Sequence, residues 1–318
     1  MAEDSIFSIH EAVLSNLKRL SCEQSILEQL RTYELYGVAE DMVALSRELT
    51  EEGLDINEIL SLLSENLSLD DYPLSDETQE SFRSLIKNTH RSVSRTDRTL
   101  LTELYLLLAL KSGLSLTERD FLPTADGEET FTYVRNSFSD EAYDVFSQDF
   151  SDPKVRYSPT FKEAARAVSA GEVTYCLLPL EEKGGVRLHT VSELIFRNDF
   201  RINSVIPVFG PDGNADLKYA LVSKSFTVPK REEDDDLYLE IRLGMSSDSL
   251  LADVFGAVDY FGMSVYRVNT VTFDGDEDAE TYFSVVIKSA SRDFSPILTY
   301  MTLFLRDFVP VGIYKNLE

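Results

Sequence analysis

The chain has 318 residues, 43% hydrophobic and 11% aromatic, enough for a packed core in two or three domains and too much for a disordered protein. Its 30 Lys and Arg stand against 56 Asp and Glu, a formal charge of −26 that repels a phosphate backbone and argues against a nucleic-acid partner. Cys22 and Cys176 lack CxxC spacing and His10, His90 and His189 lack HExxH spacing, so no disulfide framework, metal or other cofactor is expected. Met1-Ala2-Glu3-Asp4 has no basic leader, and the longest apolar run, Leu104 to Leu110, is too short for a bilayer. These features read as a cytoplasmic protein with no membrane partner.

In chain order, residues 1–122 read as an all-helical domain. Ile9, Val13, Leu14, Leu17 and Leu20 recur at three and four, as do Leu35, Val38, Ala39, Met42, Val43 and Leu45. Asp55 and Asn57 open a helix, Asp71 to Asp76 breaks the pattern, and a further helix follows over Glu77 to Thr89. Arg98 to Lys111 is apolar almost all round, which predicts a buried helix stopped at Gly113. The region carries no catalytic motif and reads as an interaction or dimerisation module.

Pro123 to Glu129 is a turn-rich boundary, beyond which the period changes. Strands are predicted at Phe131–Val134, Lys154–Tyr157, Thr174–Leu178 and Arg201–Val208. Helices are predicted at Ser139–Phe150, with Ser139 as N-cap, and at Thr160–Ala170 and Val191–Arg197. This alternation implies a parallel or mixed α/β layer over 131–229. The charged run Lys230 to Asp236 reads as a linker. A βαββαβ pattern then fills 237–318: strand Leu237–Leu243, helix Ser246–Phe261, strand Ser264–Phe273, turn Gly275–Asp278, strand Tyr282–Lys288, helix Phe294–Phe308 and strand Val311–Tyr314.

Phe161 to Glu181, a helix ending in Gly171-Glu172, a strand and then Leu178-Pro179-Leu180-Glu181, resembles the prephenate dehydratase family. Ser137-Phe138-Ser139-Asp140-Glu141-Ala142 resembles that family's loop and helix start. Val191 to Ile202 resembles its next helix and strand, and 237–318 stands where the family carries an ACT domain. The resemblance implies a periplasmic-binding-protein-like α/β lobe followed by a ferredoxin-like ACT module. It further implies an active site that eliminates carbon dioxide and hydroxide from prephenate.

Measured against that pattern, the donors have changed. The Gly-Pro-x-Gly loop is replaced by the shorter Tyr133 to Phe138, leaving Arg135 in its place. The family's Asn-Ser pair falls on Glu182 and Lys183, and Glu182 would repel a dianion. The Thr-Arg-Phe motif falls on Leu217-Lys218-Tyr219, so Lys218 keeps a charge without the guanidinium fork. Only Gly210 to Asp216 joins the two strands between which the family places its second lobe. In the ACT-like unit, the phenylalanine-binding motifs fall on Ser249-Leu250-Leu251 and on Asn269-Thr270-Val271-Thr272 and are not retained. Gly244 and Ser246 could still shape its first turn.

The expected ligand-binding positions are therefore Arg135, Ser137, Ser139, Glu181, Glu182, Lys183 and Lys218, with Ser139, Glu182, Lys183 and Lys218 at the degenerate catalytic places. The expected regulatory positions are Gly244, Ser246, Ser249 and Asn269. The reading is a catalytically inactive relative that senses an aromatic, amino-acid-like ligand or scaffolds a partner, as a homodimer through the ACT-like or the helical domain. Two alternatives are an active dehydratase with its cleft rebuilt across a dimer, using Arg135, Lys183 and Lys218 on carboxylates and Ser139 as hydroxyl donor, and a pure interaction protein working through its helical domain.

Overall fold

The computed structural model describes residues 2–64, 75–122, 128–210, 213, 215–226, 236–244, 251–274, 279–289, 293–305 and 307–315, with side chains excepted at 2–12, 77, 87–92, 215, 273–274 and 279. The chain forms two compact units, Met1–Leu116 and Thr117–Glu318.

The first unit is helical: α1 (Ala2–Glu51), α2 (Ile56–Leu63), α3 (Asp76–Ser92) and α4 (Arg98–Lys111). The two periodic stretches of the N-terminal sequence belong to one continuous helix. Its second half is held by a core of Leu35, Ala39, Met42, Leu45 and Leu49 against Ile59, Leu60, Phe82, Leu101 and Tyr105. The Ser46 and Tyr105 hydroxyls pair at 3.0 Å, and burial pushes the Tyr105 phenol up to about 12. Asp55 caps α2 in a capping box with Glu58. The α4 helix is not buried all round: Leu101, Tyr105, Leu108 and Ala109 face the core, whereas Leu107 and Leu110 are exposed.

The second unit runs α5 (Glu118–Phe121), β1 (Thr130–Tyr133), α6 (Ser137–Phe146), β2 (Lys154–Tyr157), α7 (Phe161–Ser169), β3 (Tyr175–Glu182), β4 (Val186–Arg187), α8 (His189–Arg197), β5 (Arg201–Phe209) and β6 (Ala215–Ser223). It continues with β7 (Leu237–Gly244), α9 (Leu251–Tyr260), β8 (Met263–Asp274), β9 (Ala279–Ser289), α10 (Ser295–Phe304) and β10 (Phe308–Lys315). The expected turn at Gly275–Asp278 and linker residues Lys230–Asp235 lie outside the described residues, as do Ser246, Ser249 and most of the predicted first turn of α9.

All these strands form one mixed sheet in the order β2-β1-β3-β6-β5-β10-β7-β9-β8, with β4 paired to β3. Strands β2, β1 and β3 are parallel, as βαβ crossovers require. The stretch β10-β7-β9-β8 is antiparallel, in the order of the split βαβ fold. The strands expected for 131–229 and for 237–318 thus share one sheet, joined where β10 runs parallel to β5 with Gly312 opposite Ile202. Glycine is required there: a Cβ on Gly312 would stand 2.3 Å from the Ile202 carbonyl oxygen. On one face, Phe131, Tyr133, Leu177, Tyr219 and Leu221 pack against α6. On the other, one cluster runs from Ala164 and Val168 of α7 through Ile195 and Phe196 of α8 to Tyr238, Val286 and Tyr314.

Candidate functional site

The parallel strands have a topological switch. From the carboxyl end of β1 the chain leaves through α6 to β2 on one side, then crosses through α7 to β3 on the other. Ligand crevices in open α/β sheets lie at the carboxyl ends of such strands, here β1 and β3. Most of the candidate residues gather along this edge.

At the end of β1, Asn136 rather than Ser139 is the N-cap of α6. The two form a capping box: Asn136 Oδ1 accepts from Ser139 N at 3.0 Å, and Ser139 Oγ accepts from Asn136 N at 2.9 Å. The Ser139 hydroxyl lies 2.7 Å from the Val134 carbonyl, to which it donates, and its side chain is fully buried. It is committed to the backbone. The helix starts two residues earlier than expected, so Ser137 is its first residue and lies exposed. Asn136 is also bonded to the Tyr219 hydroxyl of β6; burial raises the Tyr219 pKa, and this bond lowers it in part. Arg135 is drawn toward β2: its guanidinium sits 4.9 Å over the Tyr157 ring and 3.6 Å from Asp140. Tyr133 donates to Asp140 at 2.9 Å, and burial with that carboxylate raises its pKa strongly.

Strand β3 does not stop at Leu178 but runs to Glu182, and Lys183, Gly184 and Gly185 turn it back into β4. Both glycines have positive φ, 85° and 78°, which this turn needs. A bulge at Leu180 shifts the register, so that Pro179 pairs with Tyr219 but Glu181 pairs with Lys218. Strict alternation would turn Glu182 to the inner face; the bulge gives that place to Glu181. Glu182 is exposed, and Lys183 pairs with Asp216 at 3.2 Å near the surface.

Glu181 is the centre of a buried ionic network. One oxygen accepts from Arg267 of β8 at 2.5 Å and lies 3.8 Å from Arg187 of β4. The other has no hydrogen-bond donor and lies 3.8 Å from Lys218. Arg187 ion-pairs with Glu240 of β7, which also accepts from Tyr314 at 2.9 Å and from Ser284 at 2.8 Å. Burial works against the Arg187 charge, but Glu240 and Glu181 outweigh it and raise its pKa; burial and Glu240 raise that of Tyr314. The guanidinium therefore stays charged and the phenol stays neutral.

None of Arg187, Arg267 or Glu240 was singled out from the sequence. Each partner of Glu181 is remote in the chain, and only the Leu-Pro-Leu-Glu motif pointed to the position. Of the expected regulatory residues, Gly244 donates to the Asp307 carbonyl at 2.7 Å, and a Cβ there would meet Asp307 Cβ at 2.8 Å. Asn269 of β8 lies opposite Ser284 of β9, with its amide nitrogen buried and without a hydrogen-bond partner. No group of His, Cys, Asp or Glu with metal-site geometry occurs among the described residues. No helix among them is long and apolar enough to cross a membrane.

No protein family and no curated protein matches this sequence. Among solved structures it is similar to a prephenate dehydratase from Streptococcus mutans, at 13% identity and TM-score 0.45, over 58% of this chain and 97% of that one. A prephenate dehydratase from Arthrobacter aurescens, solved with L-Phe, is similar at 14% identity and TM-score 0.43, over 59% and 90%. GqqA, described as a quorum quenching acylase, is similar at 17% identity and TM-score 0.43, over 60% and 97%.

Proposed function

We propose that this chain is a non-catalytic protein built on a prephenate-dehydratase-like α/β framework, with the βαββαβ unit serving as an ACT-like module for a small aromatic amino acid. Its work is regulation or scaffolding. The observation that carries this reading is the state of the cations at the switch point. Arg135, Lys183 and Lys218, the groups that would hold a dicarboxylate, each face a carboxylate of the chain itself: Asp140, Asp216 and Glu181. A dianionic substrate would have to displace these partners and also approach Glu182. The hydroxyl that would assist dehydration, Ser139, is buried and spent on a cap. The motif order of 131–318 supports the framework, and the split-βαβ strand order supports the module.

The test is a prephenate turnover assay that follows phenylpyruvate, run beside thermal shifts with phenylalanine, tyrosine, tryptophan and prephenate. The expected result is no turnover and a raised melting temperature with an aromatic amino acid. Measured turnover removes the non-catalytic reading. Absence of every shift removes the ligand and leaves scaffolding.

A further inference from the structure

Two polar atoms of the buried ionic network have opposite needs. Among the described residues, Glu181 Oε2 accepts no hydrogen bond and Arg187 Nε–H donates none, and the two side chains are only 6% and 7% exposed. Buried polar groups of folded proteins find partners, either in the protein or in ordered water. Arg187 Nε lies 3.8 Å from Glu181 Oε1, and Lys218 Nζ lies 3.8 Å from Glu181 Oε2. Both separations are beyond a hydrogen bond and within the range that a water molecule bridges.

The strands hold these atoms apart. Glu181 stands opposite Arg187 of β4 on one side and Lys218 of β6 on the other. Its carboxylate is drawn toward Arg267 of β8 at 2.5 Å, while the Arg187 guanidinium is drawn toward Glu240 of β7 and Tyr314 of β10. Each group is pulled by different strands of the βαββαβ unit, so neither closes on the other. The chemistry then selects the occupant. It must donate to a carboxylate oxygen and accept from a guanidinium N–H. A cation would face Arg187, Arg267 and Lys218, and a carboxylate or phosphate would face Glu181 and Glu240. A neutral hydroxyl avoids both, and between groups this close only water is small enough. We infer that the network binds one internal water molecule, which donates to Glu181 Oε2 and accepts from Arg187 Nε–H.

The first test is a high-resolution crystal structure of the full chain. Density for one water within about 3.2 Å of both Glu181 Oε2 and Arg187 Nε is expected. Its absence overturns the proposal. So does an anomalous peak at that place in a bromide-soaked crystal, which makes the occupant an anion. In solution, deuteron relaxation dispersion counts long-lived internal waters. The variant E181M/R267M removes a paired acid and base together, so the charge balance and the Arg187–Glu240 pair remain. It is expected to fold and to hold one long-lived water fewer than the wild type. An equal count in the folded variant overturns the proposal; if the variant does not fold, the crystal structure decides.

Discussion

The carboxyl edge of β1 and β3 and the network beneath it use charge in opposite ways. At the edge, Arg135–Asp140 and Lys183–Asp216 are solvated pairs that hold little energy and only cancel one another. A few residues inward, Glu181, Arg187, Glu240 and Arg267 are withdrawn from water and bind β3 and β4 to β7 and β8. Adjacent residues of one motif, Glu181 and Glu182, fall on either side of this divide because of the bulge at Leu180. At the exposed edge, charge is neutralised; in the buried interior, charge fastens the two parts of the sheet.

Breaking the inner network should have the largest effect. Glu240→Ala leaves Arg187 buried beside a single distant carboxylate, and is expected to lower stability by about 3–5 kcal/mol, read from the urea midpoint. A loss below about 1 kcal/mol would mean that the network is hydrated. Gly312→Ala tests the seam by shape instead of charge. Its Cβ meets backbone, which cannot rotate away, and a loss of about 3 kcal/mol is expected by the same measurement. At the edge the effects shrink. Asn136→Ala removes the α6 cap and should cost about 1 kcal/mol. Lys183→Ala breaks an exposed pair and should change stability by less than about 0.5 kcal/mol. If Lys183→Ala matched Glu240→Ala, the contrast between edge and interior would fail.

A last and smallest test uses pH. Burial pushes the Asp199 carboxyl up, but Arg201, Arg242 and Lys224 outweigh it and leave the pKa below the ordinary value. Its stabilisation is complete above the ordinary carboxylate range and is lost as pH falls through the lowered folded value. An Asp199→Asn variant should therefore show a shallower acid limb in melting temperature against pH.

Much of the architecture is readable from local pattern. The alternation of short apolar runs with capped amphipathic stretches placed β1, β2, β5 and the start of β3 within one residue, the two-residue β4 was not anticipated, and the βαββαβ order was legible from period alone. What was not legible depended on distance in the chain. Nothing local ties Arg187 to Glu240, 53 residues on, or Glu181 to Arg267, 86 residues on. A glycine at 312 looks like any strand glycine until Ile202 is brought against it. Ser139 and Asn136 are both good N-caps by residue type; the capping box that uses both was present in the spacing, but its register was not decided by it. The candidate positions at the edge were found because motif order marks strand ends. Their internal partners were missed because Asp140 and Asp216 are ordinary acidic residues in an acidic chain.

The seam between β5 and β10 also sets an order of assembly. Strand β10 lies between β5 and β7 in the sheet but follows both in the chain. Until it has been synthesised, β5 and β7 each keep one edge with unpaired N–H and C=O groups. Such edges recruit other strands. A nascent or truncated chain ending before Phe308 would offer two of them at once, so completion of β10 closes both open edges of the sheet in a single step.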